Sequence, residues 1–325
     1  MKQLFISIFA IVLGIIATTI TVFTTAYAKQ IVNFGVQPAT HPIYISRELG
    51  MIEKIEKKHN VKFEWHRFSY GAPENQALAA GELQIATAGM GPAIIASVRL
   101  PAKLLAITVL DQTAVLVPIN SEVKTIADLK GKTIGHPGKG SQQYPLMVKA
   151  LTDAGLSVND VKLFKTKASD IATLVSREDL DAGIIWDPHV SKALVTGQVR
   201  ILKSSGEIMP IKSGHYVGNG VYAREDFIEA NPELVQDIVN TLVVAIDYII
   251  ANPKKSAKLW AKATGLPEKV LNYSVDNKIS VFDRDITPSK KTVDAYMAFL
   301  KGAGILKPGD VAKYDSSFAE KALAQ

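Results

Sequence analysis

The sequence predicts an α/β protein with two lobes and a helical C-terminal region. The chain has 325 residues, whereas a single hydrophobic core rarely grows beyond about 250–300 residues. From residue 31, short apolar runs alternate with helical segments, which is typical of a mostly parallel sheet. The same alternation starts again at Ile126. These three observations favour two α/β units over one.

The N-terminus has the three parts of a secretory signal peptide. Lys2 precedes an apolar stretch over Leu4–Phe23, and Ala26-Tyr27-Ala28 follows it. A basic start, an apolar middle and an Ala-x-Ala exit predict export and cleavage after Ala28. The mature chain would then start at Lys29 in the periplasm. An uncleaved membrane anchor is the alternative, because the apolar stretch is nearly long enough to span a bilayer.

The first unit is predicted from its turn chemistry as much as from its apolar runs. Gly71-Ala72-Pro73 opens a helix that ends at Gly81, which follows the preference for proline near the start of a helix and glycine after its end. Gly89-Met90-Gly91-Pro92 opens the next helix, and Pro101 closes it. The predicted elements are strands over 31–36, 61–68, 83–88 and 104–110, and helices over 43–58, 71–81 and 91–100.

The second unit and the C-terminal region follow the same rules. Gly138-Lys139-Gly140-Ser141 leads into a helix that Gly155 stops, and Asp187-Pro188 opens another after an apolar strand. Asn231-Pro232-Glu233 suits the positive end of a helix dipole. The predicted elements are strands over 132–135, 161–164 and 182–186, a helix that starts at 188, and helices over 126–130, 141–154, 169–177, 232–249, 256–264, 267–275 and 289–301.

Composition and motifs argue against most enzyme and nucleic-acid classes. The absence of cysteine excludes disulfides, thiolate metal sites and cysteine nucleophiles. Gly135 and Gly140 have P-loop spacing, but Ser141-Gln142 stands where that motif needs Lys-Ser/Thr. The six histidines lack a metal-binding spacing, and the lysines lack interleaved aromatic residues. We therefore expect no metal, no cofactor, no catalytic residue and no nucleic-acid partner. The net charge of +6 weakly favours anionic partners.

Four predicted helices begin at small residues directly after a strand or a glycine-rich turn. The free N–H groups and partial positive charge of a helix N-terminus can bind an anion without a lysine or arginine. In an open sheet such termini converge on one crevice at the carboxyl ends of the strands. Helix capping alone explains any one of them. Together they predict a ligand cleft, and the four turns are 69–72, 88–91, 140–143 and 186–189.

Several stretches resemble the nitrate/sulfonate/taurine branch of periplasmic solute-binding proteins, which is related to the NMT1/THI5-like proteins. Gln76-Ala77-Leu78-Ala79-Ala80-Gly81-Glu82-Leu83-Gln84-Ile85 is similar to that family's Ala-Leu-x-x-Gly-x-x-Asp-hydrophobic segment, although Gln84 replaces the acid. Trp186-Asp187-Pro188-His189 is similar to its Trp-Asp/Glu-Pro-Tyr/His signature. Gly35–Glu53, Asp128–Ser141 and Asn231–Val235 are the other similar stretches.

The resemblance implies a type II clamshell of two lobes that closes over a ligand and then docks on an ABC permease at the inner membrane. It implies a monomer with two crossover strands, near Thr113–Pro118 and Gly218–Ala223. The implied domains are a signal peptide over 1–28, lobe 1 over 29–115 and 220–325, and lobe 2 over 116–219. Transferred position by position, the implied ligand-binding residues are Gln37, His41, Tyr70, Gly71, Gly89, Met90, Ser141, Gln142, Gln143, Trp186, Asp187, His189, His215 and Asn219.

The ligand and the function stay open between several alternatives at this stage. Lys139 is the sole cation near these loops, which favours an oxyanion such as a sulfonate, taurine or nitrate over a phosphate ester. Asp187 could bind an amine of a zwitterion, and Tyr70 with Trp186 could hold an aromatic or pyrimidine ligand. The leading function is the binding component of an ABC importer. A sensory binding module and a THI5-like pyrimidine-precursor enzyme are the alternatives.

Overall fold

Two β-sheets, each covered by helices, make up the part of the chain that the computed structural model describes, residues 29–325. The predicted signal peptide, 1–28, lies outside the described residues. The first sheet has the strand order β11-β4-β10-β3-β1-β2, and the second has the order β7-β6-β8-β5-β9. The strands are β1 (Gln30–Val36), β2 (Val61–Arg67), β3 (Ile85–Gly89), β4 (Ala102–Asp111), β5 (Thr113–Pro118), β6 (Thr133–His136), β7 (Lys162–Lys165), β8 (Ala182–Trp186), β9 (Val199–Ser204), β10 (Val217–Arg224) and β11 (Ser280–Val281).

Each sheet is mixed, and its parallel part carries the strand–turn–helix units. Strand β1 pairs in parallel with β2 and β3, and β6 pairs in parallel with β7 and β8. Strand β10 is antiparallel to β3 and β4, and β5 is antiparallel to β8 and β9. The parallel trios bring the carboxyl ends of neighbouring strands to one edge. The antiparallel strands are those that follow each passage between the sheets.

The helices lie close to where the sequence predicts them, with one clear difference. The predicted helix over 43–58 is two helices, because Gly50 adopts a left-handed conformation with φ of 70° between them. Strands β9 and β11 and helices α8, α9 and α14 were not among the individually predicted elements. The helices are α1 (Pro42–Glu48), α2 (Met51–His59), α3 (Gly71–Ala79), α4 (Met90–Arg99), α5 (Gln143–Asp153), α6 (Ala168–Ser176), α7 (His189–Leu194), α8 (Ser205–Ile208), α9 (Glu225–Ala230), α10 (Pro232–Ala251), α11 (Pro253–Thr264), α12 (Glu268–Asp276), α13 (Lys290–Gly302) and α14 (Ser317–Leu323).

Helix α10 forms the centre of the helical C-terminal region. Its stripe of apolar residues, among them Leu234, Ile238, Leu242 and Ile249, is buried against α1, α2, α14 and β4. In the described part of the chain it is the one helix whose length and composition would suit a membrane. Its burial in the core of the first sheet identifies it as a core helix.

The chain passes between the sheets twice, once between β4 and β5 and once just before β10. The Asp111 side chain bonds one passage to the other. Gln112 alone separates β4 from β5, and both Asp111 and Gln112 have positive φ angles, 56° and 67°. The Asp111 carboxylate accepts a hydrogen bond from Tyr216 N at 2.9 Å and lies 2.7 Å from His215 Nδ1. Tyr216 directly precedes β10, where the chain returns to the first sheet. The passages therefore lie beside the predicted crossover segments, and the domain limits stay a prediction.

Candidate ligand-binding cleft

A cleft between the two sheets collects the ends of strands from both. The turns after β1, β2 and β3 line it on the side of the first sheet. The turn before α5 and the end of β8 line it on the side of the second sheet. Strand β10 and the passage residue between β4 and β5 complete its walls. The lining residues are Gln37, Ala39, Tyr70, Gly71, Gly89, Pro92, Gln112, Ser141, Gln142, Gln143, Trp186 and Asn219.

The cleft is closed in this structure. Its cavity volume is about 10 Å³, which is room for about one water molecule. The side chain of Gln142 crosses from the second sheet and its Oε1 accepts a hydrogen bond from Met90 N at 2.9 Å. A Cβ at Gly89 would lie 2.7 Å from Gln142 Cδ, so the absence of a side chain there makes this contact possible. The first N–H of α4 is thus bound to an oxygen from the opposite lobe.

The helix N-termini at the cleft share the lack of a cap from their own capping residues. Helices α3, α4 and α5 each carry proline at their third position, Pro73, Pro92 and Pro145. Because proline has no backbone N–H, the N–H groups of the first two helical residues are those that need a hydrogen-bond partner. No side chain of the capping residue accepts from these groups in any of the three. Unsatisfied N–H groups at a helix start bind anions well.

Neutral carboxamides supply most of the polar lining. Gln37, Gln112, Gln142, Gln143 and Asn219 are all buried, and among residues 29–325 no charged side chain lines the cleft. Each carboxamide brings both a donor and an acceptor. The lining can therefore bind an oxygen-rich group through N–H donors without an ion pair.

Two lysines lie at the margin of the cleft, beside the loop that leads to Ser141. Lys139 Nζ lies 5.7 Å from the centre of the Tyr144 ring, and Lys165 lies beside Gly138. His136 is buried next to them, with Nδ1 accepting from Gly138 N at 3.1 Å. Burial, then Lys165 and Lys139, lower the pKa of His136, so it is neutral at pH 7. The charge at this margin is positive, which suits an anion on its way into the cleft.

Gln112 and Asn219 form a pair on the floor of the cleft. Gln112 Nε2 donates to Asn219 Oδ1 at 2.5 Å. Gln112 Oε1 is buried and has no hydrogen-bond partner among the described residues. An unsatisfied buried acceptor is costly. A ligand donor at this position would remove that cost.

Nine of the fourteen predicted residues line the cleft, and five do not. His41 is buried behind it, where Nδ1 accepts from Ile43 N at 3.2 Å and caps α1 while Nε2 lies 2.7 Å from Thr108 Oγ1. The Met90 side chain is fully buried in the core, and only its N–H faces the opposite lobe. These two residues support the cleft walls from behind.

Asp187, His189 and His215 also lie outside the lining. Asp187 is buried and accepts hydrogen bonds from Ser191, from Ser274 Oγ at 2.5 Å and from Ser280 Oγ at 3.4 Å. Burial raises its pKa, and these serines counteract the rise. His189 packs edge-on against the Trp186 ring. The sequence could place Asp187 next to Trp186, but not show that its carboxylate turns away from the cleft.

Three lining residues were not predicted: Ala39, Pro92 and Gln112. Pro92 lies in the turn that opens α4, so its place there could have been inferred from that turn. Gln112 had no sequence signal, because its position depends on where β4 ends and β5 begins. Within residues 29–325 no group of three or more His, Asp or Glu side chains is placed to hold a metal ion.

The match to a known family is direct. The family model of the NMT1/THI5-like proteins matches residues 69–256. This chain belongs to the NMT1/THI5-like family. The matched segment of this NMT1/THI5-like protein includes the turns before α3, α4 and α5 and the end of β8.

Relatives and solved structures extend the likeness along the chain. This NMT1/THI5-like protein is 28% identical over 253 residues to the taurine-binding periplasmic protein of Escherichia coli strain K12, with 75% of this chain and 76% of the relative covered. It superposes on the periplasmic aliphatic sulphonate binding protein of Escherichia coli with a TM-score of 0.68 and 23% identity, covering 85% and 86% of the two chains. For the alkanesulfonate-binding protein of Xanthomonas axonopodis pv. citri bound to MOPS, the TM-score is 0.74 at 22% identity, covering 88% and 98%. These structures establish the two-lobed periplasmic binding protein fold, which confirms the predicted fold class.

Proposed function

We propose that this protein captures a small organic oxyanion of the sulfonate class in the cleft and delivers it to an ABC permease. The observation that carries this proposal is the meeting of three helix N-termini from both lobes, none capped by the side chain of its own capping residue, in one cleft whose described lining is neutral. A sulfonate spreads one charge over three oxygens, and several N–H donors can share it. A phosphate ester with two charges would lack a cation in the lining.

The second part of the ligand should be a neutral hydrogen-bond donor. Gln112 Oε1 is an unsatisfied acceptor on the cleft floor. Asp187, the acid that the sequence suggested for pairing with an amine, is already bound by three serines outside the lining. A hydroxyl group can bind Gln112 without a counter-charge, whereas an ammonium would lose its hydration without gaining one. This reasoning favours 2-hydroxyethanesulfonate over taurine.

The export signal and the relatives support a periplasmic transport role. The predicted cleavage after Ala28 would release the mature protein as a monomer into the periplasm, where it would meet its permease. The taurine-binding and sulphonate-binding proteins to which it is similar are named as periplasmic. A binding role also agrees with Ser141 Oγ, which donates to Gly138 O at 2.7 Å and so is not paired with a base.

Thermal unfolding of purified protein, freed of bound ligand by unfolding and refolding, tests the proposal. The probes are ethanesulfonate, 2-hydroxyethanesulfonate, taurine, nitrate, sulfate and a pyrimidine. A ligand at 100 times its Kd should add about 2.7 kcal/mol to the free energy of unfolding. We expect the largest shift with 2-hydroxyethanesulfonate. Preference for taurine would overturn the neutral-donor argument, and response to the pyrimidine alone, or its turnover, would overturn the sulfonate class.

A matched pair of variants locates the site. Gln143→Ala removes a carboxamide from the cleft lining, whereas Gln76→Ala removes one from the exposed face of α3. We expect the first to weaken sulfonate binding by about tenfold, the loss of one hydrogen bond to a charged group. The second should leave the affinity unchanged. Equal affinities in both variants would place the ligand elsewhere.

A further inference from the structure

A carboxyl group lies directly behind the cleft and touches one of its lining residues. Glu74, in the first turn of α3, is fully buried, and its Oε2 lies 2.5 Å from Gln37 Nε2. Its other oxygen, Oε1, has no hydrogen-bond partner among the described residues. A Cβ at Gly35 would lie 2.7 Å from Oε1, so the carboxyl fills the space that this glycine leaves. Gln37 is thus held between Glu74 and the cleft.

In the described part of the chain, no cation faces Glu74 from the elements around it. Tyr44 of α1 donates to Gln37 O at 2.9 Å, and Tyr222 of β10 donates to Asn75 Oδ1 at 2.6 Å. Burial raises the pKa of both phenols, so both are neutral. The Arg67 guanidinium of β2 lowers the pKa of Tyr44 and donates hydrogen bonds to carbonyl oxygens of α11. Strand β3 has no titratable residue, and α4 has only Arg99, at its exposed end.

These surroundings favour the protonated form of Glu74. An ionised carboxylate here would be a buried charge with one hydrogen bond and no counter-ion, which is strongly unfavourable. Burial accordingly raises the pKa of Glu74 well above its usual value. The separation of 2.5 Å also lies within the range of O–H···O hydrogen bonds and below the range of N–H···O hydrogen bonds. The Gln37 amide can present either its nitrogen or its oxygen by turning over.

We propose that Glu74 is a positioning residue that stays protonated, donates its hydroxyl hydrogen to Gln37 Oε1, and so turns the Gln37 NH₂ group toward the cleft. Gln37 is then a fixed donor to the ligand. With an ionised Glu74, Gln37 would present its oxygen instead and would repel an anion. The proton on Glu74 thereby sets the preference of this wall for anionic ligands, an assignment that rests on the proposed function.

Infrared difference spectroscopy tests the protonation without any ligand. Subtracting the spectrum of Glu74→Gln from that of the wild type at pH 7 should leave the C=O band of a protonated carboxyl, which shifts in D₂O. Glu82→Gln, an exposed acid just after α3, should leave only carboxylate bands. A carboxylate band from Glu74 would overturn the proposal. Should Glu74→Gln not fold, wild-type protein with ¹³C-labelled glutamate carboxyls gives the same reading by NMR.

Titration calorimetry with ethanesulfonate tests the positioning role. As the pH rises through the ionisation of Glu74, wild-type affinity should fall about tenfold, because Gln37 turns over. Glu74→Gln, whose NH₂ group cannot ionise, should bind with an affinity that does not change over the same pH range. Equal pH dependence in both proteins would overturn the positioning role. If ethanesulfonate does not bind even the wild type, the proposed function fails, while the infrared result still decides the state of Glu74.

Discussion

His41 and His189 show how burial turns a plausible ligand residue into a structural one. The imidazole of His41 caps α1 from inside the core, and burial lowers its pKa to about 3. His189 follows the signature Trp186-Asp187-Pro188, and burial lowers its pKa to about 4. Its Nδ1 has no hydrogen-bond partner among the described residues. Both rings are therefore neutral at pH 7, and neither offers a positive charge to an anion.

The buried His189 should make the protein sensitive to acid. A histidine in the unfolded chain has a pKa near 6.5, so between pH 6.5 and 4 the unfolded state binds more protons and stability falls as the pH falls. From pH 7 to 5 the wild type should lose about 2 kcal/mol more than His189→Gln. Buried Glu74 and Asp187 have raised pKa values and act in the opposite sense, but equally in both proteins. Urea unfolding at the two pH values measures the difference. Parallel losses would mean that His189 is protonated in the folded state.

The turn–helix elements on the two sides of the cleft fit together through glycine. Gly140, just before α5, faces Ala72 in the first turn of α3, and a Cβ at Gly140 would lie 2.5 Å from the Ala72 Cβ. Gly89 accommodates Gln142 in the same way. The small residues that the sequence uses to open these helices therefore also allow the lobes to close. Their role is steric, since Gly140 does not have a positive φ.

Gly140→Ala should hold the lobes apart with little effect on either lobe. The added methyl group meets Ala72 only in the closed form, so the fraction of closed protein and the ligand affinity should both fall, the affinity by about tenfold or more. Gly302→Ala is the control, because no heavy atom lies within 4 Å of the added Cβ. Calorimetry with the ligand and small-angle scattering without it measure the two effects. An unchanged affinity would show that full closure is not needed for binding.

At the scale of the whole molecule, contacts at the edge of the cleft and behind it join its two halves. Trp186 Nε1 donates to Pro38 O at 2.9 Å, and Ser274 of α12 donates to Asp187 at 2.5 Å. Each contact joins the end of β8 in the second sheet to a segment packed on the first. Asp111 ties the two passages between the sheets together. These contacts stabilise the closed form in addition to any ligand. They therefore lower the free energy that ligand binding must supply to close the lobes.

Ser274→Ala should weaken the closed form without touching the cleft. It removes one hydrogen bond to a buried carboxyl, which contributes about 1.5 kcal/mol, so the ligand affinity should fall by about tenfold. Ser256→Ala is the control: it removes an equally buried serine whose Oγ donates to Asn252 O within the C-terminal region. A loss of affinity of the same size in both variants would point to general destabilisation instead of a lost contact between the lobes.

The sequence by itself determined the two α/β units, most of their elements in order and the turns that meet at the cleft, because apolar periodicity and the glycine and proline positions act over a few residues. Only the tertiary structure decided which side chains face the ligand. Glu74 behind Gln37, Gln112 beside Asn219 and Asp187 bonded to Ser274 are pairs that lie 37, 107 and 87 residues apart. Their burial, and with it their protonation and hydrogen-bonding roles, depends on packing between distant segments, which no local pattern encodes.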